Sequence, residues 1–128
     1  MRRTLLLVLS AASMAIPGLA QNYQGNLDGV ACGNIYGWAW TNPNSPASVD
    51  LYDSAILVES NIPANVYRGD LQAAGYDNGY HGFSITPPAA LLDHRLHQVY
   101  VKFSGTQINV GSTPKAMQCA SSSQGYTY

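Results

Sequence analysis

From residue 22 onward, apolar and polar positions alternate in short runs separated by turn-forming residues. A period of two is the signature of half-buried strands. The strongest run is Cys32-Gly33-Asn34-Ile35-Tyr36-Gly37-Trp38-Ala39-Trp40, which holds both tryptophans. Tyr36, Trp38 and Trp40 recur at every second position, with Gly37 and Ala39 between them. The pattern predicts a central strand with the large aromatics on a core-facing side and a nearly bare side covered closely by its neighbours. Asn42-Pro43-Asn44-Ser45-Pro46 then ends the strand in a loop.

The flanking runs read in the same way. Residues 22–30 form a short leading strand, broken by the turn pair Asp28-Gly29. Residues 48–52 put Val49 and Leu51 on one face, and Asp53-Ser54 turns the chain into a hairpin partner over 55–59. Residues 81–86 point Phe83 and Ile85 inward, Pro87-Pro88 stops that strand, and 89–93 make a single turn under the sheet. Residues 96–103 line Val99, Val101 and Phe103 on one face, with His97 of the same parity. Gly105-Thr106 turns the chain toward 107–110, and 115–119 close the domain.

Residues 61–75 depart from the alternation. Tyr67, Leu71 and Ala74 have i, i+4, i+7 spacing and Gly75 sits at a C′ position, which predicts a helix of two turns. Arg68 and Asp70 beside it read as a local ion pair. Seven or so short strands and this one short helical segment give an all-β fold, an antiparallel immunoglobulin-like β-sandwich.

Composition fixes the compartment. Residues 1–20 carry Arg2 and Arg3, then an apolar core from Leu5, then Gly18-Leu19-Ala20, the pattern of a cleaved signal peptide. Ser10, Ser13 and Pro17 interrupt that stretch, whereas a membrane span needs about 20 apolar residues. A secreted protein with no membrane span in the mature chain is expected: a β-sandwich domain over 21–119 and a flexible C-terminal tail over 120–128. Past the leader, Arg68, Arg95, Lys102 and Lys115 face seven carboxylates, so the mature chain is mildly acidic. It offers no cationic footprint for nucleic acid. Two cysteines in an exported chain predict one disulfide, Cys32 to Cys119. A reactive thiol pair is disfavoured by the lack of a Cys-x-x-Cys spacing and of a basic neighbour at Cys32.

The chain also resembles a known kind of module. Gly25-x-Leu27-Asp28-Gly29-Val30-x-Cys32, Gly37-Trp38-Ala39-Trp40, Val49-x-Leu51-Tyr52-Asp53, Tyr67-Arg68-x-Asp70-Leu71, Gly79-Tyr80-His81-Gly82-Phe83, Leu92-Asp93, His97-x-Val99 and Pro114-Lys115-x-x-x-Cys119 carry the resemblance. Together, and in this order, they resemble a bacterial extracellular immunoglobulin-like β-sandwich accessory module. Such modules occur in larger secreted and cell-surface proteins, including glycan-active ones, and generally lack an assigned activity. The resemblance implies a non-catalytic sandwich and no particular substrate. Two turns depart from it: Ser54 and the His94-Arg95 pair stand where such modules have glycine, so a reshaped left-handed turn is expected at both places.

Candidate chemistry is sparse. His94-x-x-His97 with Asp93 offers too few convergent ligands for a metal site, and no cofactor is expected. Ser84, His81 and Asp70 or Asp77 could be drawn as a triad, but no nucleophile-elbow pattern supports it. No catalytic residue is therefore assigned, and the chain is not expected to be an enzyme. Tyr76, Asp77, Asn78, Tyr80 and His81 are the candidate ligand-binding residues, because aromatic faces stack on sugar rings while Asp and Asn bond hydroxyls. The alternation sends Trp38 and Trp40 to the core; a tryptophan on the outer face would strengthen the sugar reading. The expected function is an extracellular binding, adhesion or assembly module whose partner is another extracellular protein or a polysaccharide, the latter taken at the 76–81 loop.

Overall fold

The computed structural model describes residues 21–43 and 46–120. The signal peptide expected over 1–20 and the tail expected over 120–128, Ala120 apart, lie outside the described residues. Within them the strands are β1 (Asn22–Ala31), β2 (Asn34–Asn42), β3 (Ser48–Asp53), β4 (Ile56–Pro63), β5 (Val66–Tyr67), β6 (Tyr80–Ile85), β7 (His97–Phe103) and β8 (Lys115–Met117). A five-residue helix, α1 (Gly69–Ala73), and a 3-10 turn (Ala89–Leu91) complete the elements. No helix among the described residues is long and apolar enough to cross a membrane.

The strands make two antiparallel sheets, ordered β1-β2-β6-β5 and β4-β3-β7-β8. Taken along the chain, these are the A, B, E, D and C′, C, F, G places of an immunoglobulin-like sandwich. Leu27, Ile35, Ala39, Phe83 and Ile85 of the first sheet meet Val49, Leu51, Val99, Val101 and Phe103 of the second in one core. The Tyr23 and Phe103 rings cross between the sheets edge to face, with centroids 5.0 Å apart. Cys32, in the β1–β2 turn, is joined to Cys119 beyond β8, a disulfide spanning 87 residues of sequence.

The alternation in β2 holds, but its direction is the reverse of that expected. Ile35, Gly37, Ala39 and Thr41 are buried, while Tyr36, Trp38 and Trp40 line the outer face. The reason is steric. Gly37 stands opposite Leu27 on one side and Phe83 on the other. A Cβ at Gly37 would already lie 2.9 Å from Phe83 Cζ and collide with the Asn26 carbonyl oxygen. Sheets stacked about 10 Å apart leave no room there for three aromatic side chains.

Smaller differences have local causes. Asp28-Gly29 does not break β1: the register shifts there, a bulge that lets the strand run on to Ala31. The helix is shorter than its spacing suggested, because 61–63 finish β4 and Tyr67 pairs with Tyr80 as a strand residue. Leu71 alone anchors α1 in the protein, and Gly75 follows its C-cap at φ +95°. Residues 107–110 make no strand. Asn109 and the following Gly111 instead join the two sheets through the isolated bridges Lys102–Asn109 and Asn26–Gly111. Neither non-glycine turn is reshaped: Ser54 and His94 hold left-handed backbone, at φ +52° and +68°.

Candidate functional site

The 76–81 loop is built by the end of α1 and the start of β6. Tyr76 N–H donates to the Leu71 carbonyl at 2.9 Å, and Gly79 N–H to the Tyr76 carbonyl at 3.0 Å, closing a tight turn. Gly79 lies at φ +83°, and a Cβ there would sit 2.8 Å from the Arg68 carbonyl oxygen and 2.9 Å from Gln72 Cβ. Glycine is required on both counts. Within the turn Asp77 also takes left-handed backbone, at φ +49°. Asn78 Oδ1 accepts from Tyr80 N–H at 3.0 Å, an Asx turn that fixes the entry into β6.

This loop lies over the outer aromatics of β2. The Tyr76 ring packs at 4.8 Å from Trp38 and 5.2 Å from Trp40, and its hydroxyl donates to Gln24 Oε1 at 2.6 Å. Trp40 Nε1 donates to Asp77 Oδ2 at 2.8 Å. The outward tryptophans are thus half-buried by the loop, and in turn they hold it.

Asp77, Asn78, Tyr80 and His81 converge on one cleft of about 280 Å³, whose other walls are Pro46 and Asn65. Tyr80 is half exposed, and its ring lies 5.1 Å from that of Tyr67, which is exposed to the same degree. His81 differs from its neighbours. Its parity in β6 is that of Phe83, so the side chain is only 2% exposed. Neither ring nitrogen has a hydrogen-bond partner, and Nε2 stands 3.6 Å from Asp77 Oδ2. Of the five candidates, three therefore present polar or aromatic groups to solvent at the cleft. Tyr76 packs beneath the loop and His81 lies at the inner wall.

Sequence reasoning missed Asn65 and Tyr67. The spacing of Tyr67 and Leu71 reads as helical and conceals the place of Tyr67 opposite Tyr80 in the β5–β6 pair.

The other groups weighed for chemistry are set apart. Ser84 Oγ donates to Asn34 Oδ1 at 2.7 Å on the outer face, on the other side of the sheet from the inward His81. Arg68 makes a two-point pair with Asp70 (3.1 and 2.7 Å) and a further contact with Asp28 at 2.6 Å. The Arg68 hydrogen bond holds the Asp70 carboxyl below its usual range. His97 is nearly buried, with Nδ1 2.7 Å from Asp53 and Nε2 2.6 Å from Asp93. Both of its nitrogens are engaged. Among the described residues, no group of three or more His, Cys, Asp or Glu could hold a metal ion.

Comparison with family models, with curated proteins and with solved structures finds no match. The functional reading consequently rests on the geometry of this chain alone.

A second cleft, of about 370 Å³, lies on the outer face of the other sheet. There Lys102 Nζ sits 5.5 Å from the ring centres of both Tyr52 and Tyr100, and donates to Asn109 Oδ1 at 2.7 Å. Its cation is committed to neighbouring groups, so it is the weaker of the two as a binding site.

Proposed function

We propose that the domain is a secreted, non-catalytic binding module of the extracellular space, and that it recognises carbohydrate at the cleft beside the 76–81 loop. The observation that carries this reading is the convergence of the exposed Tyr80, its ring backed by Tyr67, with Asp77, Asn78 and Asn65 around one opening. A rigid aromatic face flanked by carboxylate and amide groups matches the amphipathic surface of a sugar, apolar on its ring faces and polar at its rim. The outward turn of Trp38 and Trp40 supports the same reading, because these rings brace the loop that shapes the cleft. The disulfide supports an oxidising compartment. The separation of Ser84 from His81 and the double engagement of His97 favour binding over catalysis.

Affinity electrophoresis and pull-down on insoluble polysaccharides test the proposal. Retardation of the wild type, lost on Tyr80→Ala with the fold intact, is expected. A wild type that no polysaccharide retards or enriches would sink it.

Adhesion or assembly through a protein partner is the second reading, and it has its own observation. β4 is an edge strand with Ile56 and Leu57 turned to solvent, 69% and 50% exposed. An uncovered apolar edge favours strand addition. Concentration-dependent sedimentation that disappears on Leu57→Lys would favour it over the glycan reading.

A further inference from the structure

We infer that the cleft selects a neutral sugar through a pair of adjacent hydroxyls, one donating to Asp77 and the other accepting from Asn78, and rejects acidic glycans. This rests on the carbohydrate reading above and narrows it to one ligand class.

Each polar group at the opening has a defined part left to play. Asp77 Oδ2 is occupied by the Trp40 indole N–H at 2.8 Å and faces His81 Nε2, which leaves Oδ1 as an acceptor. An ionised carboxylate accepts and cannot donate, so its partner must be a donor. Asn78 Oδ1 is taken by the Tyr80 backbone N–H, which leaves the side-chain NH₂ as a donor. A fixed acceptor next to a fixed donor is complementary to two neighbouring hydroxyls, each of which can play either role. Tyr80, between these groups and Tyr67, supplies the face on which the ring lies.

The walls also decide the charge of the ligand. Pro46, Asn65, Asp77, Asn78, Tyr80 and His81 include no lysine or arginine. Arg68, which lines a separate groove, is already held by Asp28 and Asp70. A uronate or sulfate would bring its charge against Asp77 with no compensating cation, whereas a hydroxyl pays no such repulsion. At about 280 Å³ the cleft is near the lower end of small-molecule pockets, about 300 Å³.

One further feature bears on the cleft. His81 is buried with both ring nitrogens lacking a hydrogen-bond partner, which is costly inside a protein. Its Nε2 is beyond hydrogen-bond range of Asp77 Oδ2 by roughly half an ångström. Movement of the Asp77 carboxylate toward His81 by that distance would complete the bond.

The experiment is calorimetric titration of the purified secreted protein with soluble galactan, mannan and β-glucan, and with polygalacturonate and a sulfated galactan as the acidic arm. Binding is expected in the neutral arm alone. Asp77→Asn should weaken it about ten- to hundredfold, the loss of one hydrogen bond to a charged acceptor. Trp40→Phe should weaken it too, yet add nothing in the Asp77→Asn background, a coupling that a merely destabilised loop would not show. Asn78→Ala, on an exposed side chain, gives an independent loss should Asp77→Asn prove poorly folded by near-ultraviolet circular dichroism. Tighter binding to the acidic arm, or neutral binding that survives both Asp77→Asn and Asn78→Ala, overturns the inference while leaving glycan recognition standing. Silence in both arms overturns glycan recognition itself.

Discussion

The Trp40 indole N–H meets the Asp77 carboxylate at 2.8 Å across 37 residues of sequence, and so ties the second strand of the sandwich to the loop that borders its cleft. Tryptophan is present there for its donor as much as for its ring. Trp40→Phe keeps the packing against Tyr76 and removes the donor. It should cost about 1 kcal/mol in urea unfolding, the worth of one partly exposed hydrogen bond, and should raise amide hydrogen exchange at residues 77–79. Unchanged exchange there would show that the loop is held by Tyr76 alone.

Tyr76 and Tyr80 are close in sequence and opposite in placement, the first packed under the loop and the second exposed at the cleft. Tyr76 is half-buried against two indoles and bonded to Gln24, so Tyr76→Ala should destabilise the fold by about 2–3 kcal/mol. Tyr80 packs mainly on another exposed ring, and Tyr80→Ala should stay within about 1 kcal/mol of wild type while removing ligand binding. Chemical denaturation of both variants, paired with a binding assay, checks the division. Equal losses of stability would refute it.

Much of the sandwich was legible because strand alternation and turn chemistry agree along most of the chain. Phe83, Ile85, Val99, Val101 and Phe103 all face inward as their parity says. The Cys32–Cys119 bridge is present as its two cysteines predict, and the hairpin turn falls at Ser54-Ala55, one residue on from the Asp53-Ser54 pair that the sequence suggests. The direction of β2 escapes the sequence because alternation gives two faces and not which of them turns inward. Which face turns inward is settled by Leu27 and Phe83, side chains on other strands that fill the space over Gly37. Residues 61–75 mislead because a two-residue strand such as β5 is too short to show a period, and Tyr67 fits a helical spacing by accident. The cleft itself could be read only in part. Asp77, Asn78 and Tyr80 lie in one loop, but Asn65 reaches it by folding and leaves no mark in the local pattern.

Ser54 occupies a turn position at φ +52°, where an L side chain costs roughly 1–2 kcal/mol relative to the right-handed region. Glycine escapes that cost but loses more backbone entropy on folding, by roughly 0.5–1 kcal/mol. Ser54→Gly should therefore raise stability by about 0.5 kcal/mol. The check is the midpoint of urea unfolding, and a lower midpoint would mean that the serine side chain contributes something the backbone does not reveal.

The disulfide closes nearly the whole domain, its cysteines 87 positions apart in the sequence. In the chain-entropy account a loop of that length is worth about 4–5 kcal/mol, a large share of the stability of a domain this size. Reduction, or the paired change Cys32→Ser with Cys119→Ser, should shift unfolding to much lower denaturant while the native sheets persist in the absence of urea. A loss below about 1 kcal/mol would place the stability in the core alone.

His97 should give the fold its clearest dependence on pH. Its imidazole lies between two carboxylates, and the hydrogen bond to Asp93, helped by that to Asp53, raises its pKa above the ordinary 6.5 despite burial. The same contact, with the Arg95 amide, lowers the Asp93 carboxyl below 3.8. A raised histidine favours the folded state while protonated. Its contribution is complete below about pH 6.5, and is lost as the pH climbs through the higher folded value. Asp93 acts in the other direction, contributing above 3.8 and losing that contribution as acid carries the pH down through its lowered value. Stability should thus be greatest between these limits and fall on the alkaline side. His97→Gln can keep a hydrogen bond but carries no charge. It should lower stability at pH 5.5 and flatten the slope between pH 6 and 8, as read from urea midpoints across that range. A variant that falls with pH as steeply as the wild type would assign the slope to another group.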